Sequence, residues 1–431
     1  MDSKHTVHHD IRMQGFAGRI TPADLRALVR QQVASLPVVC EALYPHPQRL
    51  LGRVLGKDVV ARQPVPAFAR AAMDGYALRG EDTFGATAYN PLSLALVGEV
   101  LAGGRFDGRV GPGQAVRIMT GAPVPAGADA VLMAEQTQEA SPGEVLALGA
   151  VPPGKHVGQP GEDVQAGEVV LAAGRRLRPQ DIGLLAALGV SEVALAAQPQ
   201  VGLLMTGNEL LPAGQAPQGS RIADSNGPML AALVARDGGV PLPPLLVGDD
   251  PLALADALTH MPGDMLLVSG GTSVGQEDHL PQILATQGRL LAHGVAMRPG
   301  APTGFGLLGG RPVFLLPGNP VACLVAYDFF AALALCLQGG LLQGWPYVSR
   351  SLPLGERIAS QLGRLDYVRV RIEEGQAWPL AVSGAGLLST TTRAQGFVLV
   401  PSNCEGWPAQ TPVTVHLYET PPASPEETAL D

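Results

Sequence analysis

The stretch LLVSGGTSVGQEDHLPQIL, residues 266–284, decides how this chain is read. An apolar run stops abruptly at Gly270 and Gly271. Thr272, Ser273 and a third glycine, Gly275, follow, then Glu277 and Asp278, then a new helical pattern. A short unbroken apolar run is what a strand buried on both faces requires. Glycines directly after such a strand let the backbone approach a bulky ligand, and a helix start points amides at anions. The stretch therefore predicts the carboxyl edge of a parallel sheet carrying a ligand loop.

Working outward, the same strand, loop and helix order recurs. Apolar residues 201–205 run into Thr206, Gly207, Asn208 and Glu209, and Asp224-Ser225-Asn226 precedes the helical PMLAALVARDGG. A strand at 245–247 meets Asp249-Asp250-Pro251, a helix start. Residues 313–316 run into Pro317, Gly318, Asn319 and Pro320 and then an apolar helix over 321–337. This order predicts a doubly wound, mostly parallel sheet with helices on both faces. Three loops would then share one edge: 206–209, 270–278 and 317–320. None is a Walker A loop, because GKS and GKT are absent, and GGTSVG lacks the dinucleotide spacing.

The flanks read differently. Residues 1–20 are polar and read as a loose leader, and Thr21-Pro22-Ala23-Asp24 opens a helix reaching about residue 36. From 59 to 148 short β-like pieces alternate with Gly/Pro turns, which predicts a small all-β domain. A short helix is expected over 179–188. After Trp345 short alternating strands predict a C-terminal β-barrel or sandwich, ending in a disordered tail.

With 431 residues, 46% hydrophobic and 16% charged, the chain can build two to four domains with a large core. Net charge is −9 with no basic block, which argues against a nucleic-acid partner. Lysine occurs only at 4, 57 and 155, so an anion held beyond that point needs arginine, backbone amides or a metal. The four cysteines form no CxxC pair and read as buried thiols in a reducing compartment. There is no apolar leader and no run of 18 apolar residues. These features predict a cytoplasmic protein with no membrane partner.

Between residues 196 and 343 there are ten acids against five arginines. The sheet edge should carry Glu209, Asp224, Asp249, Asp250, Glu277 and Asp278. Such an edge repels phosphate unless a cation intervenes, and hard oxygen donors with phosphate suggest Mg²⁺. The simpler reading of Asp224, Asp249 and Asp250 is helix capping, which is preferred for Asp250. Glu209 and Asp278 follow glycine-rich turns and read as functional. No HExxH motif and no Cys/His cluster points to zinc.

Seven stretches then come in a telling order: AAMDGYALR (71–79), VRIMTGAPVPAGADAVLMAE (116–135), PGEDVQAGEVVLAAG (160–174), TGNEL (206–210), SGGTSVGQEDH (269–279), MRPGAP (297–302) and LPGNPVA (316–322). Together they resemble the molybdopterin molybdotransferase family, which includes the E domains of gephyrin-like proteins. The resemblance implies a four-domain subunit: residues 1–50 with 155–197 as an elongated linker domain, 51–154 as the small all-β domain, 198–343 as the α/β molybdopterin-binding domain, and 344–431 as the β-barrel. It implies a homodimer, with a molybdopterin adenylyltransferase and molybdoenzymes as possible partners. The implied reaction takes adenylylated molybdopterin and molybdate, cleaves the adenylate with Mg²⁺ and inserts molybdenum into the pterin dithiolene.

Carried over by motif, Asp74, Thr120 and Asp163 would be catalytic, the first two reaching the partner's site. Glu209, Asp249 and Asp278 would be catalytic and metal ligands. Thr206, Gly207, Ser269, Gly270, Gly271, Ser273 and Gly275 would hold the pterin, with Gly318, Asn319 and Pro320. Arg298 and Pro299, with Arg364 or Arg369 and with Ser389, would complete the site. Asp74 could instead brace a turn, and Arg369 could be a strand-surface charge.

The sequence departs from the family pattern at several places. Arg298 stands for the first lysine of KPGKP and Ala301 for the second, Asn208 replaces an aspartate, and Gln276 and Pro281 replace a glutamate and a lysine. The basic residues that often stand directly before GED are absent, the sequence reading GQPGED (158–163). Each loss of positive charge weakens anion binding, by about 1–3 kcal/mol for a charged hydrogen bond. These losses leave a non-catalytic molybdopterin-binding or delivery protein as the alternative, with a scaffold third. Molybdate and tungstate are indistinguishable at this level.

Overall fold

A computed structural model describes residues 18–272, 279–341, 345–381 and 384–419. The chain forms two compact units, one from Met1–Glu41, Gly52–Gly56 and Ala194–Asp431 and the other from Ala42–Leu51 and Lys57–Val193. Each is described by itself.

The first unit is organised by a seven-stranded sheet. Its order is Val240–Pro241, Gln200–Thr206, Met265–Ser269, Arg311–Leu316, Gly304–Leu308 and Arg289–His293, with Leu245–Val247 also on Gln200–Thr206. The pairings from Val240–Pro241 to Arg311–Leu316 are parallel and the last two are antiparallel. Alternation along each strand sorts the core into two layers. Val201, Leu203, Met205 and Leu267 pack with helices Pro22–Gln32, Asn226–Arg236 and Pro320–Gln338. Leu204, Leu266 and Val268 pack with Pro251–His260 and Leu280–Gln287. Each fully buried leucine contributes about 1.5–3 kcal/mol.

The helix expected over 321–337 runs over Pro320–Gln338, with a π-bulge at Tyr327–Ala331. It is long and apolar enough to span a bilayer, although the sequence pattern gave no such run because Asp328 interrupts it. Its side chains are core instead: 89% of the apolar window is buried. The first helix ends at Gln32, short of residue 36, with Val33 already extended at φ −103° and ψ 117°.

Residues 18–20 are not loose. Ile20 bridges Val295 in parallel, its N–H reaching the Gly294 carbonyl at 3.1 Å. The C-terminal strands Gln376–Ala381, Leu365–Glu373, Gly396–Val400, Pro412–Leu417 and Ser349–Pro353 pair in sequence. A bridge from Leu354 to Ala377 links the last back to the first, so the expected barrel is a ring of strands.

The second unit holds a six-stranded sheet from Gly75–Leu78 to Glu144–Ala147. Two strands expected inside that β domain pair outside it: Val59–Val60 with Val169–Leu171, and Arg70–Ala71 with Val157–Gly158. Only two cysteines, Cys323 and Cys336, are buried. Cys40 is exposed and Cys404 half-buried, because Cys40 lies on the largely exposed strand Val38–Ala42.

Candidate functional site

The described parts of the three loops, 206–209, 270–272 and 317–320, meet at the carboxyl edge of the sheet. They enclose a cleft of about 460 Å³ bordered by Thr206, Gly207, Ser269, Gly270, Gly271 and Thr272 on one side and by Gly318, Asn319 and Pro320 on the other. Gly270 has φ +97°, and a Cβ there would overlap the Thr206 carbonyl oxygen. Both strain and overlap oppose any side chain, so Gly270→Ala should cost about 3 kcal/mol. Denaturant unfolding checks this; unchanged stability would show that the two strand ends need not approach.

Glu209, Asp224 and Asp249 border the same cleft. Asp224 is spent on capping: its Oδ1 accepts the N–H groups of Asn226 and Gly227, each at 3.0 Å. Asp250 caps the next helix through Ala253 N–H at 2.8 Å. Asp249 is different. The Asn208 N–H donates to its Oδ2 at 2.9 Å, and its own N–H donates to Asn208 Oδ1 at 3.2 Å. Asn208 thus clips one carboxylate loop to the other at the border of the cleft. An aspartate at 208 would add a second charge beside Asp249.

Behind the carboxylates lies a polar brace. The Asn226 amide donates to Ser269 Oγ at 2.9 Å and to the Gly318 carbonyl at 2.8 Å, and Ser269 Oγ donates to the Pro317 carbonyl at 3.3 Å. Ser269 therefore ties the end of its strand to the 317–320 loop and to the helix start at Asn226 rather than standing free for a ligand. Asn226 Oδ1 and Thr206 Oγ1 are buried without a hydrogen-bond partner among the described residues. Unpaired buried acceptors of this kind are where a polar ligand or water is expected to sit. No group of three or more His, Cys, Asp or Glu side chains gathers for a metal among the described residues.

A second pocket of about 290 Å³ shares Pro302, Pro317 and Asn319 with the cleft. Its character is opposite. Arg19, Arg298, Arg364 and Arg369 line it and no carboxylate does, while Pro299 and Ala301 form part of the wall. Arg364 is held by Asp366, Nε to Oδ1 at 2.8 Å. Arg369 is no strand-surface charge: it is 1% exposed. Burial lowers its pKa from the usual guanidinium range, opposed by Tyr418 and Tyr367. Ser389 is exposed on the short helix Leu388–Thr392 and does not line the pocket; Gly384 and Ala385 do. Pro281 is buried in the first turn of Leu280–Gln287, where a missing N–H costs nothing.

In the other unit, Asp74 and Thr120 are brought together. The Thr120 N–H and hydroxyl both donate to Asp74 Oδ1 at 2.7 Å. These donors hold the exposed Asp74 carboxyl below the usual carboxylate range. Asp163 is exposed on a turn, its N–H on the Val65 carbonyl. Ser273, Gly275, Gln276 and Asp278 lie outside the described residues. Sequence reading missed Asn208 as a clip, Asn226 as a brace and Arg19 altogether. Asn208 and Asn226 looked like turn and cap residues, and the pairing across 41 residues leaves no local signal.

Comparison with known proteins follows the same division of the chain. Residues 20–189 match the MoeA N-terminal region (domains I and II), 202–335 the "probable molybdopterin binding domain", and 351–418 the MoeA C-terminal region (domain IV). A molybdopterin molybdenumtransferase 2 from Mycobacterium tuberculosis is 37% identical over 350 residues, 79% of this chain and 86% of that protein. A molybdopterin molybdenumtransferase from Staphylococcus aureus is 31% identical over 416 residues, 93% and 96% of the two chains. The crystal structure of a molybdopterin biosynthesis MoeA protein from Pyrococcus horikoshii superposes with a TM-score of 0.81 at 30% identity, covering 94% of this chain and all of that one. With its sheet-edge cleft, its three matched regions and relatives aligned over nearly their full length, the chain belongs to the MoeA family of molybdopterin molybdenumtransferases.

Proposed function

We propose that the chain inserts molybdenum from molybdate into molybdopterin, using adenylylated molybdopterin as substrate and releasing AMP. The observation that carries this reading is the junction of two pockets of opposite charge through Pro302, Pro317 and Asn319. The acidic cleft suits a phosphoanhydride neutralised by a cation, and the arginine pocket suits a tetrahedral dianion. Asn319, Gly207 and Gly270 would let the pterin lie against backbone.

The donor set fits Mg²⁺, which typically takes one or two carboxylates plus waters and substrate phosphates. Glu209 and Asp249 would hold it, with Asp278 the third candidate. When bound, it neutralises the charge that develops on the phosphate oxygens. Water adds to phosphorus, the P–O–P bond breaks and AMP leaves. This chain's part is positional: Asn208 fixes Asp249, the Asn226–Ser269 brace fixes the loops, and the arginines hold molybdate at the far end. The test supplies purified protein with adenylylated molybdopterin, molybdate and Mg²⁺. AMP release with formation of active cofactor is expected; absence of both sinks the reading.

The active form in this reading is a homodimer in which Asp74, Thr120 and Asp163 of one copy serve the cleft of the other. Mixing Asp74→Ala and Asp249→Ala subunits, each inactive alone, should then restore about a quarter of wild-type activity, since half the random dimers keep one intact site. No recovery on mixing would place both residues in one copy's site. The cytoplasm is the expected compartment, where an adenylyltransferase could supply the substrate and molybdoenzymes take the product.

A further inference from the structure

The geometry points to Arg19 as a binding residue for the oxyanion, replacing the cation that Ala301 lacks; this rests on the reading of the arginine pocket given above. Two observations carry it. First, Arg19 and Ala301 line the same pocket, together with Arg298, Arg364 and Arg369. A guanidinium on the wall of the pocket where a lysine ammonium is missing can supply the lost positive charge to an anion held there. Second, Arg19 is delivered there by structure. Ile20 is pinned on the 294–296 segment, donating to the Gly294 carbonyl at 3.1 Å and accepting the Ala296 N–H at 2.8 Å. Thr21 caps the helix Pro22–Gln32, whose Leu25 and Val29 are fully buried. The backbone on the C-terminal side of Arg19 therefore has little freedom, and the pocket wall at Met297–Arg298 begins two residues past the Val295 bridge.

The ligand class is a tetrahedral dianion, and it has two sources: free molybdate or the phosphate ester of the organic substrate. Melting of each Arg19 variant is measured alongside, so that a loss of binding is read on folded protein. Titration calorimetry on the full chain uses molybdate and methyl phosphate as separate probes. Arg19→Gln should weaken one or both by roughly 10- to 100-fold, the cost of a charged hydrogen bond. Arg19→Lys should stay within a few-fold, and Arg19→Gln with Ala301→Lys should recover most of the loss. Loss confined to molybdate assigns the pocket to the inorganic oxyanion, and loss confined to methyl phosphate assigns it to the ester; either supports the contact. If Arg19→Gln binds both probes as the wild type does while Arg298→Gln does not, the inference about Arg19 is wrong and the pocket reading survives. If the wild type binds neither probe, both fall.

Discussion

Asp249→Ala is expected to slow AMP release by roughly a thousandfold, a loss typical of removing one preorganised charged group from a phosphoryl-transfer site. The loss should fall on turnover more than on substrate binding. In the proposed reading the glycine strand ends and the arginine pocket, which remain intact, hold most of the substrate. The reason to single out Asp249 is its geometry. Its backbone N–H and one carboxylate oxygen are both engaged with Asn208, which in the proposed reading leaves the other oxygen for the cation. Asn208→Ala should therefore cost less, roughly tenfold, because the carboxylate stays but its aim is lost. Rapid-quench measurement of AMP under saturating Mg²⁺ separates the two variants. Activity within tenfold of wild type in folded Asp249→Ala would remove the carboxylate from the chemistry.

The part of this site that sequence made legible was the part with a local cause. Buried strands 265–269 and 200–206 announce themselves because a parallel strand covered on both faces must be continuously apolar. Their glycine stops follow from the positive φ at Gly270, and Asp250 before Pro251 is a cap by chemistry alone. What was illegible needed two distant segments at once. Asn208 reads as the loss of an acid until the 249 loop is seen against it. Arg369 reads as one face of an alternating strand, yet that face of Leu365–Glu373, shared with Tyr367, is the one outside the ring that packs toward the α/β core, while Val368 and Val370 fill the ring. Arg19 lies in what reads as a polar leader, and the Ile20 bridge beside it is a long-range pairing that no local pattern marks. The barrel likewise closes by the Leu354–Ala377 bridge alone, a pairing no turn signal marks.

Arg236→Met is expected to destabilise the first unit by about 3–5 kcal/mol at pH 8, because it strands a buried carboxylate. Asp328 is fully buried on the π-bulge of the long apolar helix. Its Oδ1 takes Arg236 Nη2 at 2.9 Å and its Oδ2 takes the Tyr347 hydroxyl at 2.6 Å. Asp237 completes the cluster, accepting from Arg236 at 2.9 Å and from the Tyr327 hydroxyl at 3.0 Å. Burial pushes the Asp328 carboxyl up to about 6, against the pull of Arg236 and Tyr347. A carboxyl raised on folding takes up a proton in the folded state that the unfolded chain does not. Stability therefore falls as pH rises from the ordinary value of 3.8 toward 6, then levels off. Without Arg236 the carboxyl titrates higher still, so the decline continues through neutrality. The variant should be near wild-type stability at pH 5 and far below it at pH 8. Adding Asp328→Leu should remove both the pH dependence and most of the loss, since an apolar side chain at a buried charge is often neutral or better. Urea unfolding at the two pH values decides the matter. An equal deficit at pH 5 and pH 8 would mean that Arg236 acts through packing against the Tyr347 ring, 5.6 Å away, and not through the charge it neutralises.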